Sequence, residues 1–82
     1  IRVNTVCPGF IQGDWLRKGM GDDVYEKSKR HLEETTPLQL TTTPLNIADG
    51  ILYFLEFADV ITGETLMLDG GFHLNQLASG RR

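Results

Sequence analysis

A single cysteine, Cys7, is all the thiol chemistry in this 82-residue chain. One thiol excludes a disulfide framework and a thiol-rich metal centre, and gives no reason to invoke an oxidising compartment. Cys7 is therefore expected to be a buried strand thiol. Long apolar runs are also missing: none approaches the roughly 18 residues of a membrane span, and no signal-peptide pattern opens the chain. A cytoplasmic location without a membrane partner is the preferred reading. Neither sign of charge dominates, since 8 basic residues against 11 acidic ones leave a net charge of -3. Without a basic stripe, nucleic acid is not an expected ligand. Lys27, Lys29 and Arg30 do gather, but Glu26, Glu33 and Glu34 share their stretch, as on a solvated helix face. His31 and His73 are too isolated to read as metal ligands, and Asp22-Asp23 and Glu33-Glu34 read as helix-end charge. No metal is expected.

What is present reads as strand, helix and strand. From Ile1 to Cys7, alternation places Ile1, Val3, Thr5 and Cys7 on one face and Arg2, Asn4 and Val6 on the other. Pro8 then removes a ladder donor and Gly9 permits a turn. A second strand, about 64–68 within a 60–69 segment, has Leu66 and Leu68 opposite Met67 and is apolar enough to be covered on both sides. Asp69-Gly70-Gly71 ends it, with Asp69 read as a turn carboxylate bonding its own backbone and no helix expected to follow. Between the strands, 44–57 reads as a helix with a broad apolar face of Ile47, Ala48, Ile51, Leu52, Phe54 and Leu55. Thr43 is placed to cap it and Pro44 suits its first position. Gly50 costs such a helix about 1 kcal/mol relative to alanine, which suggests close packing against another element.

The stretch 12–40 differs in kind. Gly13, Gly19 and Gly21 interrupt it, a polar helix is expected over about 22–34, and Val24, Tyr25, Ser28 and Leu32 form a narrow inward face. Trp15, Leu16 and Met20 fall on an irregular segment where large apolar side chains need something to cover, as in a lid. A strand, a long crossover and a second apolar strand make a parallel pair, which is marginal in isolation and is normally buried by helices on both faces. The chain opens on Ile1 inside an alternating strand, so upstream sequence is expected and the chain reads as a fragment.

The blocks Arg2-Val3-Asn4-x-Val6-x-Pro8-Gly9, Thr36-Pro37-Leu38, Pro44-x-x-Ile47-Ala48 and Ile61-Thr62-Gly63-x-x-Leu66-x-x-Asp69-Gly70-Gly71 are four ordered signatures. In order and approximate spacing they resemble the C-terminal third of the short-chain dehydrogenase/reductases. That resemblance implies an α/β fold, the C-terminal portion of a Rossmann-like doubly wound parallel sheet, with the whole chain 1–82 lying in one nucleotide-binding domain. It implies an oxidoreductase that uses NAD or NADP to interconvert an alcohol and a carbonyl, and a homo-oligomer. It implies that the Pro8-Gly9 turn closes over the nicotinamide and that the Ile11 backbone contacts the carboxamide. Phe10, Trp15 and Met20, which follow that loop, become the candidates for shaping the substrate pocket.

Several positions depart from the family's pattern. Gly13 stands where a threonine or serine hydroxyl usually contacts the cofactor, Leu40 and Thr42 replace arginine and glycine, and Leu45 and Asn46 replace acidic residues. The connection 56–60 is shortened. No glycine-rich dinucleotide fingerprint follows a strand, and the family's catalytic serine, tyrosine and lysine lie upstream of the first block. No catalytic residue is assigned here. Tyr25 and Lys29 match the Tyr-x-x-x-Lys spacing but follow the Pro-Gly turn, which assigns them to the lid surface. The alternative is a truncated non-catalytic module whose apolar helix and strand dock on a homologous subunit.

Overall fold

The computed structural model describes residues 1–78. Its elements are β1 (Thr5–Pro8), α1 (Asp14–Met20), α2 (Asp22–Thr35), α3 (Pro44–Glu56), β2 (Thr65–Leu68) and α4 (Phe72–Ala78). The strands pair in parallel, with Thr5 opposite Thr65 and Pro8 opposite Leu68, as the crossover pattern requires. Thr5 and Gly9 donate to Glu64 and Leu68 of the partner strand. By alternation, the nitrogen of Pro8 faces the outer edge of β1, where its missing N–H disturbs no ladder bond.

The first strand is shorter than the alternation from Ile1 suggests, because Arg2, Val3 and Asn4 are committed elsewhere. The Arg2 guanidinium donates to the carbonyls of Phe54 and Ala58 at 3.1 and 2.6 Å, placing a cation at the carboxyl end of α3 and just beyond it. Val3 pairs with Thr62 and Gly63. Asn4 donates to the Ile61 carbonyl and accepts from the Glu64 N–H, both at 2.9 Å. The first and last signature blocks thus hold each other. Asn4→Ala should lower stability by about 1–2 kcal/mol, from two bridging hydrogen bonds of roughly 1 kcal/mol or less each plus partial burial of their orphaned partners; denaturant unfolding of the full-length gene product measures it.

Helix α3 begins as expected. The Thr43 hydroxyl accepts from the Asn46 N–H at 3.3 Å, and the Asn46 carbonyl oxygen accepts from the Thr43 N–H at 2.8 Å, so asparagine completes the capping box in place of an acidic residue. Gly50 is buried, and a Cβ there would meet Leu68 Cδ1 at 2.6 Å. The broad apolar face is only partly used: Ile47 and Phe54 are half-buried, while Ile51, Leu52 and Leu55 remain 46%, 48% and 69% exposed. Two strands less than 5 Å apart are too narrow to cover more than one stripe of a helix.

Two expectations are corrected. The segment holding Trp15, Leu16 and Met20 is helix α1, with Asp14 in its first turn and Arg17 and Lys18 in its last, the charge order a helix dipole favours. Gly13 and Gly21 bound it rather than break it, and Gly21 turns the corner into α2 at φ 88°. A helix also follows Gly70-Gly71: α4 forms because the Asp69 carboxylate accepts the N–H groups of Gly71 and His73, each at 3.0 Å, capping its first turn.

The result is a slab of 43 × 36 × 18 Å with a radius of gyration of 14.7 Å, against about 12 Å for a compact domain of this length. Tyr25 and Ala58 are the buried apolar residues among those described. The strand face carrying Thr5, Cys7, Thr65 and Met67 lies opposite the one α3 covers, with Met67 41% exposed.

Candidate functional site

At the carboxyl end of β1 the chain runs into a loop, Gly9 to Gly13, held from three sides. Gly9 donates to the Leu68 carbonyl at 3.2 Å and passes so near β2 that a Cβ on it would lie 2.8 Å from Asp69 Cβ and 3.2 Å from Asp69 Cα. Glycine is required there by close approach. Further on, Ile11 and Thr42 form an isolated parallel bridge. Thr42 donates its N–H to the Phe10 carbonyl at 3.1 Å, adds its hydroxyl to that same carbonyl at 2.9 Å, and accepts the Gln12 N–H at 2.8 Å.

This bridge has a directional consequence. It uses the groups of Phe10 and Gln12, so the N–H and C=O of Ile11 point the opposite way, and neither forms a hydrogen bond among the described residues. An adjacent donor and acceptor, held rigid at the carboxyl end of a parallel strand, match the acceptor and donor of a primary carboxamide, and α/β folds place ligands at this end.

A side-chain relay holds the loop from below. Gln12 Nε2 donates to the Thr41 hydroxyl at 2.9 Å, which donates to Glu33 Oε2 at 3.0 Å, and Lys29 Nζ pairs with that same oxygen at 2.9 Å. The Lys29 ammonium, together with the Thr41 hydroxyl, holds the Glu33 carboxyl below its ordinary pKa against the opposing effect of burial. Tyr25, assigned above to the lid surface, is instead 3% exposed. Its ring packs on Phe10 with centroids 5.3 Å apart, the Arg17 guanidinium lies 4.2 Å from its ring centroid, and its hydroxyl accepts the Gly13 N–H at 3.1 Å. Lys29 does not join it in a reactive pair, because its ammonium is engaged with Glu33.

Pro8, Gly9, Ile11 and Gly13 therefore lie along one rim. The substrate candidates disperse: Phe10 lines a cavity of about 170 Å³ with Leu32, Leu40 and Phe72, whereas Trp15 is 72% exposed on α1 and Met20 sits half-buried at the end of that helix. Beside the cavity, Thr36 both accepts from the Leu40 N–H and donates to the Leu40 carbonyl. It thereby folds the Thr36-Pro37-Leu38 block, whose Leu38 N–H reaches Gly70.

Asp69 closes the rim from the β2 side. Burial pushes its carboxyl upward, but the His73 side chain and the N–H groups of Gly71 and His73 outweigh that and hold the pKa below the usual carboxylate value. His73 Nδ1 lies 3.1 Å from both carboxylate oxygens, where an Nδ1–H donates to them. This is the turn role the sequence suggests for Asp69, extended to His73. The signal for His73 was its spacing four residues after Asp69, which becomes readable once α4 is known to form. Tyr25 carried a weaker signal, an aromatic on the inward face of an otherwise polar helix.

Comparison with known proteins decides the family. A family model described as enoyl-(acyl carrier protein) reductase matches residues 1–73. The chain belongs to the short-chain dehydrogenase/reductase family. Within it, the chain is 36% identical over 74 residues to a granaticin polyketide synthase putative ketoacyl reductase 2 of Streptomyces violaceoruber, covering 90% of this chain and 28% of that protein. It is 40% identical over 75 residues to carbonyl reductase family member 4 of Xenopus laevis, covering 92% and 28%. A small-chain dehydrogenase solved in complex with NADPH superposes with a TM-score of 0.76 at 27% identity, over 87% of this chain and 32% of that one. Thermoplasma acidophilum aldohexose dehydrogenase, in ligand-free form, gives 0.76 at 29% identity, over 89% and 31%. The short-chain dehydrogenase/reductase chain thus spans under a third of these relatives' length. The parallel pair with its crossover helices is the matching part of their α/β architecture. No helix among the described residues is long and apolar enough to cross a membrane.

Proposed function

We propose that this chain supplies the nicotinamide-side rim and the substrate lid of an NAD(P)-dependent oxidoreductase that interconverts an alcohol and a carbonyl. The observation that carries the proposal is the outward-facing N–H and C=O of Ile11, fixed by the Thr42 bridge beside the Pro8-Gly9 turn. The dinucleotide supplies the hydride chemistry when bound. The chain's own groups orient its carboxamide end: Ile11 through its backbone, Gly9 by letting the loop approach β2, and α1 and α2 by standing over the loop. The likeness to a dehydrogenase solved with NADPH supports a nicotinamide cofactor, as does the enoyl-(acyl carrier protein) reductase [NADH] of Bacillus cereus, 36% identical over 75 residues.

Titrating the full-length gene product that contains residues 1–82 with NADH and NADPH tests the reading. Saturable binding and turnover of a carbonyl substrate are expected; an absence of binding to either cofactor refutes it. The exposed Ile51, Leu52 and Leu55 support a second reading, a non-catalytic module that docks on a homologous subunit. Self-association without cofactor binding is the outcome that favours this alternative.

Gly13 offers a sharper arm. Its φ of 163° is extended backbone, and a Cβ there would meet only Trp15 Cδ1, at an ordinary 3.8 Å, so Gly13→Thr introduces the family's usual hydroxyl on a Cβ that meets no clash. One added neutral hydrogen bond corresponds to about two- to ten-fold tighter cofactor binding, measured in the same titration.

A further inference from the structure

With no side chain of its own, Gly13 retains the widest backbone freedom of any residue, yet it must both end the cofactor loop and begin α1, where its carbonyl accepts the Arg17 N–H at 3.1 Å. Its N–H is fixed by the Tyr25 hydroxyl. Tyr25 is the buried apolar residue of α2, and three separate contacts converge on it: the Gly13 amide from the end of the loop, the Phe10 ring from its start, and the Arg17 guanidinium from α1. Arg17 is in turn tied to α2 through Asp22 at 3.5 Å and Glu26 at 3.0 Å. One side chain therefore joins the rim that faces the carboxamide to both helices of the lid.

We propose that Tyr25 is a positioning residue that latches the α1–α2 lid to the Phe10–Gly13 loop, so that cofactor binding at the rim and ordering of the lid are coupled. The coupling rests on the functional reading above; the latch itself does not. Any coupling is reciprocal: a cofactor that orders the loop must order the lid, and loosening the lid must weaken the cofactor by the same factor. Tyr25→Phe is the informative change, because it keeps the ring against Phe10 and Arg17 and removes only the hydroxyl.

Backbone amide exchange in the cofactor-free, full-length protein tests the latch alone. Tyr25→Phe is expected to speed exchange at Gly13, and unchanged exchange there overturns the latch. With saturating NADPH or NADH, whichever binds, wild type is expected to gain protection over residues 14–35 and Tyr25→Phe to lose most of that gain. Its cofactor Kd should rise about two- to ten-fold, the range for one hydrogen bond, with kcat at saturating cofactor within two-fold. Faster exchange at Gly13 with unchanged Kd and undiminished protection overturns the coupling and leaves the oxidoreductase reading standing. Wild type that binds neither cofactor overturns that reading and the coupling with it, while the Gly13 exchange result still decides the latch.

Discussion

Gly9→Ala is expected to destabilise the protein by about 1–3 kcal/mol, the cost of forcing atoms into a filled space, and to weaken nicotinamide binding about ten-fold, the loss of roughly one hydrogen bond at the Ile11 backbone. The new methyl would lie 2.8 Å from Asp69 Cβ and 3.2 Å from Asp69 Cα. A flexible side-chain tip could swing aside, but a Cα can move only if β2 moves with it. The Gly9 N–H ties the strands at Leu68 beside the contact, and the Asp69 carboxylate is held in its own turn by the Gly71 N–H, so the loop must lift away and carry the Ile11 groups with it. Gly19→Ala is the matched control: it lies inside α1, and a Cβ there meets nothing within 4 Å. In a helix interior that change is expected to be neutral or to stabilise by up to about 1 kcal/mol. Denaturant unfolding and cofactor titration of the two variants should therefore diverge. Equal behaviour would show that the close approach at Gly9 is not a constraint.

Much of the fold was legible where local chemistry and tertiary structure agree. Thr43 and Pro44 announce α3, and the structure starts the helix there. Gly50 announces close packing and meets Leu68. The two strands pair as a crossover demands. What escaped was set by contacts distant in sequence. Ile1 to Asn4 alternate like a strand, but the carboxyl end of α3 and the loop before β2 recruit them. Gly13, Gly19 and Gly21 look like breakers, yet two of them bound α1 and the third is tolerated within it. The candidate site divides in the same way. Pro8, Gly9, Ile11 and Gly13 fall within one six-residue stretch and follow one another along a rim in space. Tyr25, Thr41 and Thr42 join that rim across 12 to 32 residues, and no local pattern encodes which hydroxyl meets which amide. Trp15 and Met20 became pocket candidates because they follow the nicotinamide loop; they lie on α1 and do not line the cavity that Phe10 lines.

Asp69 is where the rim, β2 and α4 meet, and its carboxylate is expected to contribute about 2–4 kcal/mol to stability at neutral pH, from charge-assisted hydrogen bonds that Asp69→Ala would remove and N–H groups it would strand. The Gly71 and His73 amides each donate to it at 3.0 Å and His73 Nδ1 lies 3.1 Å from both oxygens, while its side chain is only 5% exposed. The sign of the pH dependence follows from the direction of the shift. A carboxyl whose folded pKa is held below its unfolded value near 3.9 contributes stability that is complete above that value and is lost as pH falls through the lower folded pKa. Asp69→Asn keeps the shape and one acceptor oxygen but cannot take part in that titration. Wild type should therefore exceed Asp69→Asn at about pH 5, and that margin should shrink below about pH 4. Denaturant midpoints measured from about pH 5 downward decide it, and a margin that grows as the pH falls below about 4 would reverse the assigned shift. Because Asp69 also forms the wall that Gly9 approaches, loosening this turn should weaken the cofactor as well. A loss of stability in Asp69→Ala with cofactor affinity intact would show that the wall is held by β2 alone, and that the carboxylate serves α4 rather than the rim.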